Sequence, residues 1–198
     1  MLAGNASINV QIMKAYITYL ILSCSLIFIP GLFANEAADD SKKSNEVSGP
    51  SVTPQPRLEE WWFARHAENI GKMSKGEFDL LMLGDSITHN FESVGLAVWK
   101  KYFEPRKAIN LGFGGDRTNH LLWRIQHLPV LKKAPKGAVI LIGTNNICWG
   151  SDKPRQAAEG VKVIAKKLHS IYPQTEVLVL GLLPRRRELA HPHRKQII

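Results

Sequence analysis

Four short apolar runs, at 79–84, 108–111, 138–142 and 176–181, set the framework of this chain. Each is too short for a helix, dominated by aliphatic residues, and closed by glycine or a polar residue, as strands buried on both faces are. The stretches between them carry helical spacing. Over 59–73, Trp62, His66 and Ile70 recur at intervals of four, with Trp61 beside them. A second helix is expected over 118–131. A third spans 154–171, with Ala157, Val161, Ile164 and Leu168 on one face. The segment 91–103 reads as helical or irregular. Strands alternating with helices predict an α/β protein built on a parallel sheet covered on both sides.

In such a sheet the ligand site lies beyond the carboxyl ends of the strands. Three of those ends carry polar, glycine-rich sequence: Gly84-Asp85-Ser86, Gly112-Phe113-Gly114-Gly115-Asp116 and Gly143-Thr144-Asn145-Asn146. Gly84 lets the backbone turn sharply from strand into helix, which presents the Ser86 hydroxyl at the sheet edge beside helix-terminal N–H groups. Ester cleavage needs a nucleophile and donors aimed at the oxyanion of the tetrahedral intermediate. A glycine N–H is closely approachable, and an asparagine amide supplies a second donor. Taken singly, Gly114-Gly115 reads as a tight turn and Asn145-Asn146 as a helix cap. Their coincidence at successive strand ends favours a site.

Together these segments resemble the SGNH (GDSL-type) hydrolases, and among them the platelet-activating-factor acetylhydrolase catalytic subunits and related bacterial esterases. The likeness runs from about Trp61 to Arg194. It passes through Leu83-Gly-Asp-Ser-Ile-Thr88, Asn110-Leu-Gly-Phe-Gly-Gly-Asp-Arg117, His120-Leu-Leu-Trp-Arg124, Ile142-Gly-Thr-Asn-Asn146 and Leu180-Gly-Leu-Leu-Pro-Arg185. The resemblance implies a three-layer α/β/α flavodoxin-like sandwich. It also implies Ser86 as nucleophile and an oxyanion hole formed by the Ser86 N–H, the Gly115 N–H and the Asn145 side chain, with no cofactor and no metal. The substrate implied is a small acyl or acetyl ester, carried on a carbohydrate or a lipid. The α/β-hydrolase elbow fits less well, because Gly84-x-Ser86-x-Thr88 lacks that motif's second glycine.

One part of the family pattern has no counterpart. The family carries its catalytic Asp and His in an Asp-x-x-His block after a fifth strand, and no Asp-x-x-His occurs in this sequence. His191-Pro192-His193-Arg194 follows Leu183-Pro184-Arg185, and the sequence stops at Ile198. The expectation is a domain truncated after its fourth strand, with an uncovered apolar sheet edge. His191 and His193 read as solvated. His89 follows Ser86 by three residues and projects back along its helix. His120 reads as a packing or hydrogen-bonding residue. Asp85 and Asp116 each stand four residues before a histidine. In a well-studied serine protease, loss of the base costs roughly a million-fold in turnover. A truncated non-catalytic product, either a binding module or an inactive gene fragment with little function, is therefore the rival reading.

The N-terminal region is read separately. Residues 15–34 are almost wholly apolar, follow Lys14, and end in Pro30-Gly31-Leu32-Phe33-Ala34. That layout predicts a signal peptide cleaved after Ala34 and export to the periplasm or the exterior. Residues 1–12 carry no positive charge, so a start at Met13 suits a signal better. An uncleaved anchor is the alternative, since about 20 apolar residues just span a bilayer. Cys24 follows Ile21-Leu22-Ser23 as in a lipoprotein site, but the apolar run continues past it. Cys148 is the one other cysteine, so no internal disulfide is expected after processing. Residues 35–57 are polar and read as a disordered tether, which places the domain at 58–198.

The chain holds 26 basic and 17 acidic residues, and loss of the leader with its single Lys14 leaves a net charge of +8. Charge of this sign suits anionic partners, and a basic surface-binding protein is a third, weaker reading. The basic residues are dispersed apart from Arg185-Arg186-Arg187 and are not interleaved with aromatics. No nucleic-acid partner is expected, and membrane contact only through an uncleaved leader.

Overall fold

The computed structural model describes residues 49–148 and 152–182, and its centre is a four-stranded parallel sheet. The strands are β1 (Leu80–Gly84), β2 (Ala108–Gly112), β3 (Gly137–Leu141) and β4 (Glu176–Val179), in the order β2-β1-β3-β4. Leu81 aligns with Ile109 on one side and Ala138 on the other, so alternate side chains from neighbouring strands share a face. On one face Leu81, Leu83, Leu111 and Ile140 pack into a single core with Leu121 and Ile125 of α3 (Thr118–Gln126) and Ile164 and Leu168 of α5 (Pro154–Ile171). Met82, Asn110 and Val139 alternate to the opposite face, where they are also buried. There Asn110 Nδ2 donates to Thr88 O at 2.9 Å, tying β2 to α2 (Ser86–His89).

The fold is thus an α/β sandwich, as the alternation of strands and helices predicts, and of the flavodoxin-like type that the family resemblance implies. After β1 the chain moves outward to β2 and then returns past β1 to β3. That reversal opens a crevice at the carboxyl ends of β1 and β3, the switch point where ligands bind in open parallel sheets.

Several boundaries differ from expectation. Helix α1 spans Glu60–Lys75 and ends at Gly76. Helix α3 stops at Gln126 rather than 131, because Pro129 disfavours helical geometry at Leu128. The segment 91–103 resolves into short helical turns, one of them a π-type turn over Trp99–Phe103. The fourth strand is not a buried strand over 176–181. It is the edge strand of the described sheet, with Leu178 44% and Val179 46% exposed.

The largest correction concerns the expected tether. From residue 49 onward it is docked on the domain. Pro50–Val52 forms a 3-10 turn with Ser51 fully buried. Gln55 N–H donates to Asn119 O at 3.2 Å, and the Asn119 amide donates to Gln55 Oε1 at 3.3 Å. Gly160 of α5 passes so close that a Cβ there would meet Ser51 O at 2.7 Å. The expectations for the leader at 1–34, for 35–48, and for His191 and His193 fall outside the described residues. Among the described residues no helix is long and apolar enough to cross a membrane.

His66 of α1 gives the core a titratable element. It is 9% exposed, with its ring centroid 5.3 Å from that of Trp123. Burial, helped by the positive charge of Arg124, lowers its pKa from 6.5 to about 4. The unfolded chain therefore takes up a proton near pH 6.5, whereas the folded chain takes it up only near pH 4. Stability is complete above pH 6.5 and falls as the pH drops toward 4, by up to about 3 kcal/mol for this residue. Urea unfolding at pH 7 and pH 4.5 should show this loss. His66→Gln should remove the His66 share of the dependence while leaving that of His120, whose pKa burial likewise lowers to about 4.

Candidate active site

Strand β1 ends at Gly84, and the chain turns directly into α2. A Cβ at Gly84 would come within 2.6 Å of Leu141 O and overlap the Thr88 side chain, so only glycine lets α2 fold back onto the strand ends. Asp85 caps the helix, its Oδ1 accepting the Ile87 N–H at 2.9 Å. Ser86 is consequently the first residue of α2, at the carboxyl edge of β1.

The loop after β2 is held against this turn. Phe113 N–H donates to Gly84 O at 3.1 Å, and Gly114 N–H donates to His89 Nδ1 at 3.2 Å. Gly115 follows with φ 79°, in the left-handed region that favours glycine. Asp116 comes next and is fully buried. Its Oδ1 accepts the Trp62 indole N–H at 2.8 Å, and its Oδ2 accepts Arg124 Nε–H at 2.9 Å. Burial pushes the Asp116 carboxyl above its ordinary pKa, against the pull of Arg124 and the Trp62 N–H.

The two asparagines after β3 part company. Both lie on α4 (Thr144–Cys148) and both are buried. Asn145 Nδ2 donates to the backbone carbonyl of Asp116 at 2.8 Å, which fixes the amide plane against the Gly115–Asp116 loop. Asn146 instead serves the start of α3: its Oδ1 accepts the Thr118 N–H at 3.0 Å and its Nδ2 donates to Thr118 Oγ1 at 2.9 Å. Asn146 Nδ2 also donates to Asp152 Oδ2 at 2.7 Å. The helix-cap reading therefore describes Asn146, while Asn145 faces the glycine loop.

Hydrogen bonds link the three candidate residues through their neighbours. Ser86 begins the helix whose His89 holds Gly114, and Asn145 holds the carbonyl that follows Gly115. A cleft of about 450 Å³ opens beside Gly115, with walls that include Pro56, Arg57, Glu59, Arg117, His120 and Asp152. Neither Ser86 nor Asn145 contributes to those walls. Among the described residues no group of three or more His, Cys, Asp or Glu is arranged to hold a metal ion.

The histidines nearest the site are both occupied at Nδ1. His89 accepts there from Gly114 N–H, and His120 accepts from Arg117 N–H at 3.1 Å. In the neutral ring the proton then resides on Nε2, leaving each as a donor on its other side. Burial, with Arg57 and Arg117 nearby, lowers the His120 pKa to about 4; burial and Arg65 also lower that of His89. Among the described residues, no hydrogen bond joins either ring to Ser86 Oγ.

Residues 82–197 match the GDSL-like Lipase/Acylhydrolase family. The chain belongs to this family. It is 31% identical over 142 residues to platelet-activating factor acetylhydrolase IB subunit alpha2 of Homo sapiens, covering 72% of this chain and 60% of that protein. To subunit alpha1 of Mus musculus it is 32% identical over 141 residues, covering 71% and 59%. The chain thus spans about 60% of the length of the curated relatives it matches. Among solved structures it resembles a GDSL-like lipase of Bacteroides thetaiotaomicron, with TM-score 0.51, 18% identity and coverage of 68% and 67%. A candidate platelet activating factor structure from Streptococcus pneumonia gives TM-score 0.52, 24% identity and coverage of 67% and 61%. At these identities the structural likeness bears on the fold alone.

In this GDSL-like domain the residue that sequence reasoning overlooked is Arg124. It lies in the quoted His120–Arg124 motif, and its burial has no signal in local spacing. Replacing Asp116 by Asn would leave the Arg124 guanidinium buried without its counter-charge, which costs about 3–5 kcal/mol in comparable cases. Chemical denaturation of Asp116→Asn should show a loss of that size, larger than for a surface carboxylate such as Glu68.

Proposed function

We propose that this chain is an exported serine ester hydrolase acting on small acyl or acetyl esters, with Ser86 as nucleophile and the Gly115 N–H and Asn145 amide as oxyanion donors. The observation that carries the reading is the link from Asn145 Nδ2 to the Asp116 carbonyl at 2.8 Å. It sets a side-chain amide beside the left-handed Gly115 turn, at the switch point where α2 presents Ser86. Donors held this way need no reorganisation as negative charge develops, which is how an oxyanion hole lowers the barrier. Ser86 Oγ would attack the ester carbonyl, and the ester C–O bond would break as the alcohol leaves with the proton given up by the serine hydroxyl. Water would then cleave the acyl-enzyme to the carboxylic acid and return a proton to Ser86 Oγ. The acetyl group named in the acetylhydrolase relatives makes an acetyl ester, on a lipid or a carbohydrate, the first substrate to test.

A second reading is a binding module that keeps the pocket without turnover. The Nδ1 engagement of His89 and His120 favours it, since neither ring then presents a lone pair as base. Hydrolysis of p-nitrophenyl acetate decides between the two. Hydrolysis should be abolished in Ser86→Ala, and Asn145→Ala should lower kcat by about 10²–10³, the cost of one oxyanion donor. Equal rates for the parent chain and Ser86→Ala would favour the binding module.

A further inference from the structure

The docked strap ahead of α1 delivers one side chain to the glycine loop. Arg57 Nη1 donates to Gly114 O at 2.7 Å, across 57 residues of sequence. Gly114 O and Gly115 N–H belong to the same peptide unit, and in a trans peptide they point in opposite directions. We propose that Arg57 is a positioning residue that aims and polarises the Gly115 N–H, a role that rests on the assignment of that N–H to the oxyanion hole.

Arg57 is itself held in place. Its Nε donates to both carboxylate oxygens of Glu59 at 3.1 and 3.3 Å, and its Nη2 donates to Glu59 Oε1. Its guanidinium carbon lies 5.4 Å from the Trp61 ring centroid, and Nη1 stands 4.0 Å from Asp116 Oδ1. The side chain is 20% exposed. A Cβ on Gly115 would come within 2.7 Å of Nη1, so the guanidinium occupies the space that glycine leaves vacant.

The physical need for such a clamp is clear. Gly114 and Gly115 are consecutive glycines and would otherwise sample many backbone states. His89 fixes the peptide before Gly114 through its N–H, and Arg57 fixes the next through its carbonyl. A hydrogen bond from a cation is shorter and stronger than one between neutral groups. It draws electron density toward Gly114 O and makes the Gly115 N–H a better donor on the opposite side. Arg57 lies outside residues 82–197, so the clamp comes from a segment beyond the part matched to the family.

The test uses the full chain with p-nitrophenyl acetate and a ¹⁵N-resolved amide spectrum. Arg57→Gln should lower kcat about tenfold with little change in KM, a fraction of the 10²–10³ lost when a donor is removed outright. It should also move the Gly115 amide resonance. Arg57→Lys keeps a charged donor and should recover most of both. If Arg57→Gln fails to fold, Glu59→Gln loosens the same guanidinium and should give a smaller fall in kcat with a Gly115 shift of the same sign. A parental kcat in Arg57→Gln, or an unmoved Gly115 resonance, overturns the proposal. If the parent chain and Ser86→Ala hydrolyse equally, the nucleophile assignment fails instead. The Gly115 resonance then decides alone: a shift upholds the clamp and an unmoved signal overturns it.

Discussion

The guanidinium of Arg124 lies buried in the middle of the strand-end loops, and the order of the site depends on how completely it is satisfied. Nε donates to Asp116 Oδ2 at 2.9 Å, Nη1 to Leu111 O at 3.0 Å, and Nη2 to Gly84 O at 3.4 Å. Its cationic centre also sits 3.8 Å from the Phe113 ring centroid. Removing such a charge from water costs several kcal/mol, which only a counter-charge and a nearly full set of acceptors can offset. In meeting that need, Arg124 binds the ends of β1 and β2 and the loop between β2 and α3 into one unit. Asp116 extends the unit to α1 through Trp62 and to α4 through Asn145.

That arrangement explains how a glycine-rich rim can hold a defined shape. Glycines bring backbone close to backbone but cost conformational entropy, so the loop needs external anchors. It has them on every side: Gly84 O for Phe113, His89 for Gly114 N–H, Arg57 for Gly114 O, and Asn145 for Asp116 O. The strap from residue 49 to 59 belongs to the same set of anchors. The buried Ser51 and the paired Gln55 and Asn119 hold it down.

Much of the scaffold was legible in the sequence because it is local. The strands announced themselves as apolar runs, since a strand covered on both faces has no polar side to show. The spacing of Ala157, Val161, Ile164 and Leu168 marked α5 over its whole length. Where reading failed, a longer-range cause was at work. The run at 176–181 has the apolar composition of a strand buried on both faces, but in the described sheet β4 pairs with β3 alone and exposes Leu178 and Val179, which composition does not record. The polar, proline-containing stretch over 49–57 has too few apolar residues to suggest docking, and it docks through hydrogen bonds and the close approach of Gly160. Asn145 and Asn146 are the same residue type in succession. A helix turns them about 100° apart, and only the packed loops show which faces Asp116 and which caps α3.

By itself the sequence determined the alternation of strands and helices and the glycine turn that sets Ser86 at the head of a helix. Both follow from side-chain periodicity and backbone sterics within a few residues. Only the tertiary structure decided which polar groups meet around that serine. The contacts of Arg57 with Gly114, Arg124 with Gly84 and Trp62 with Asp116 join residues 57, 40 and 54 positions apart. No local period records such pairings. They arise because a buried charge or carbonyl must find a partner wherever the folded chain brings one within reach.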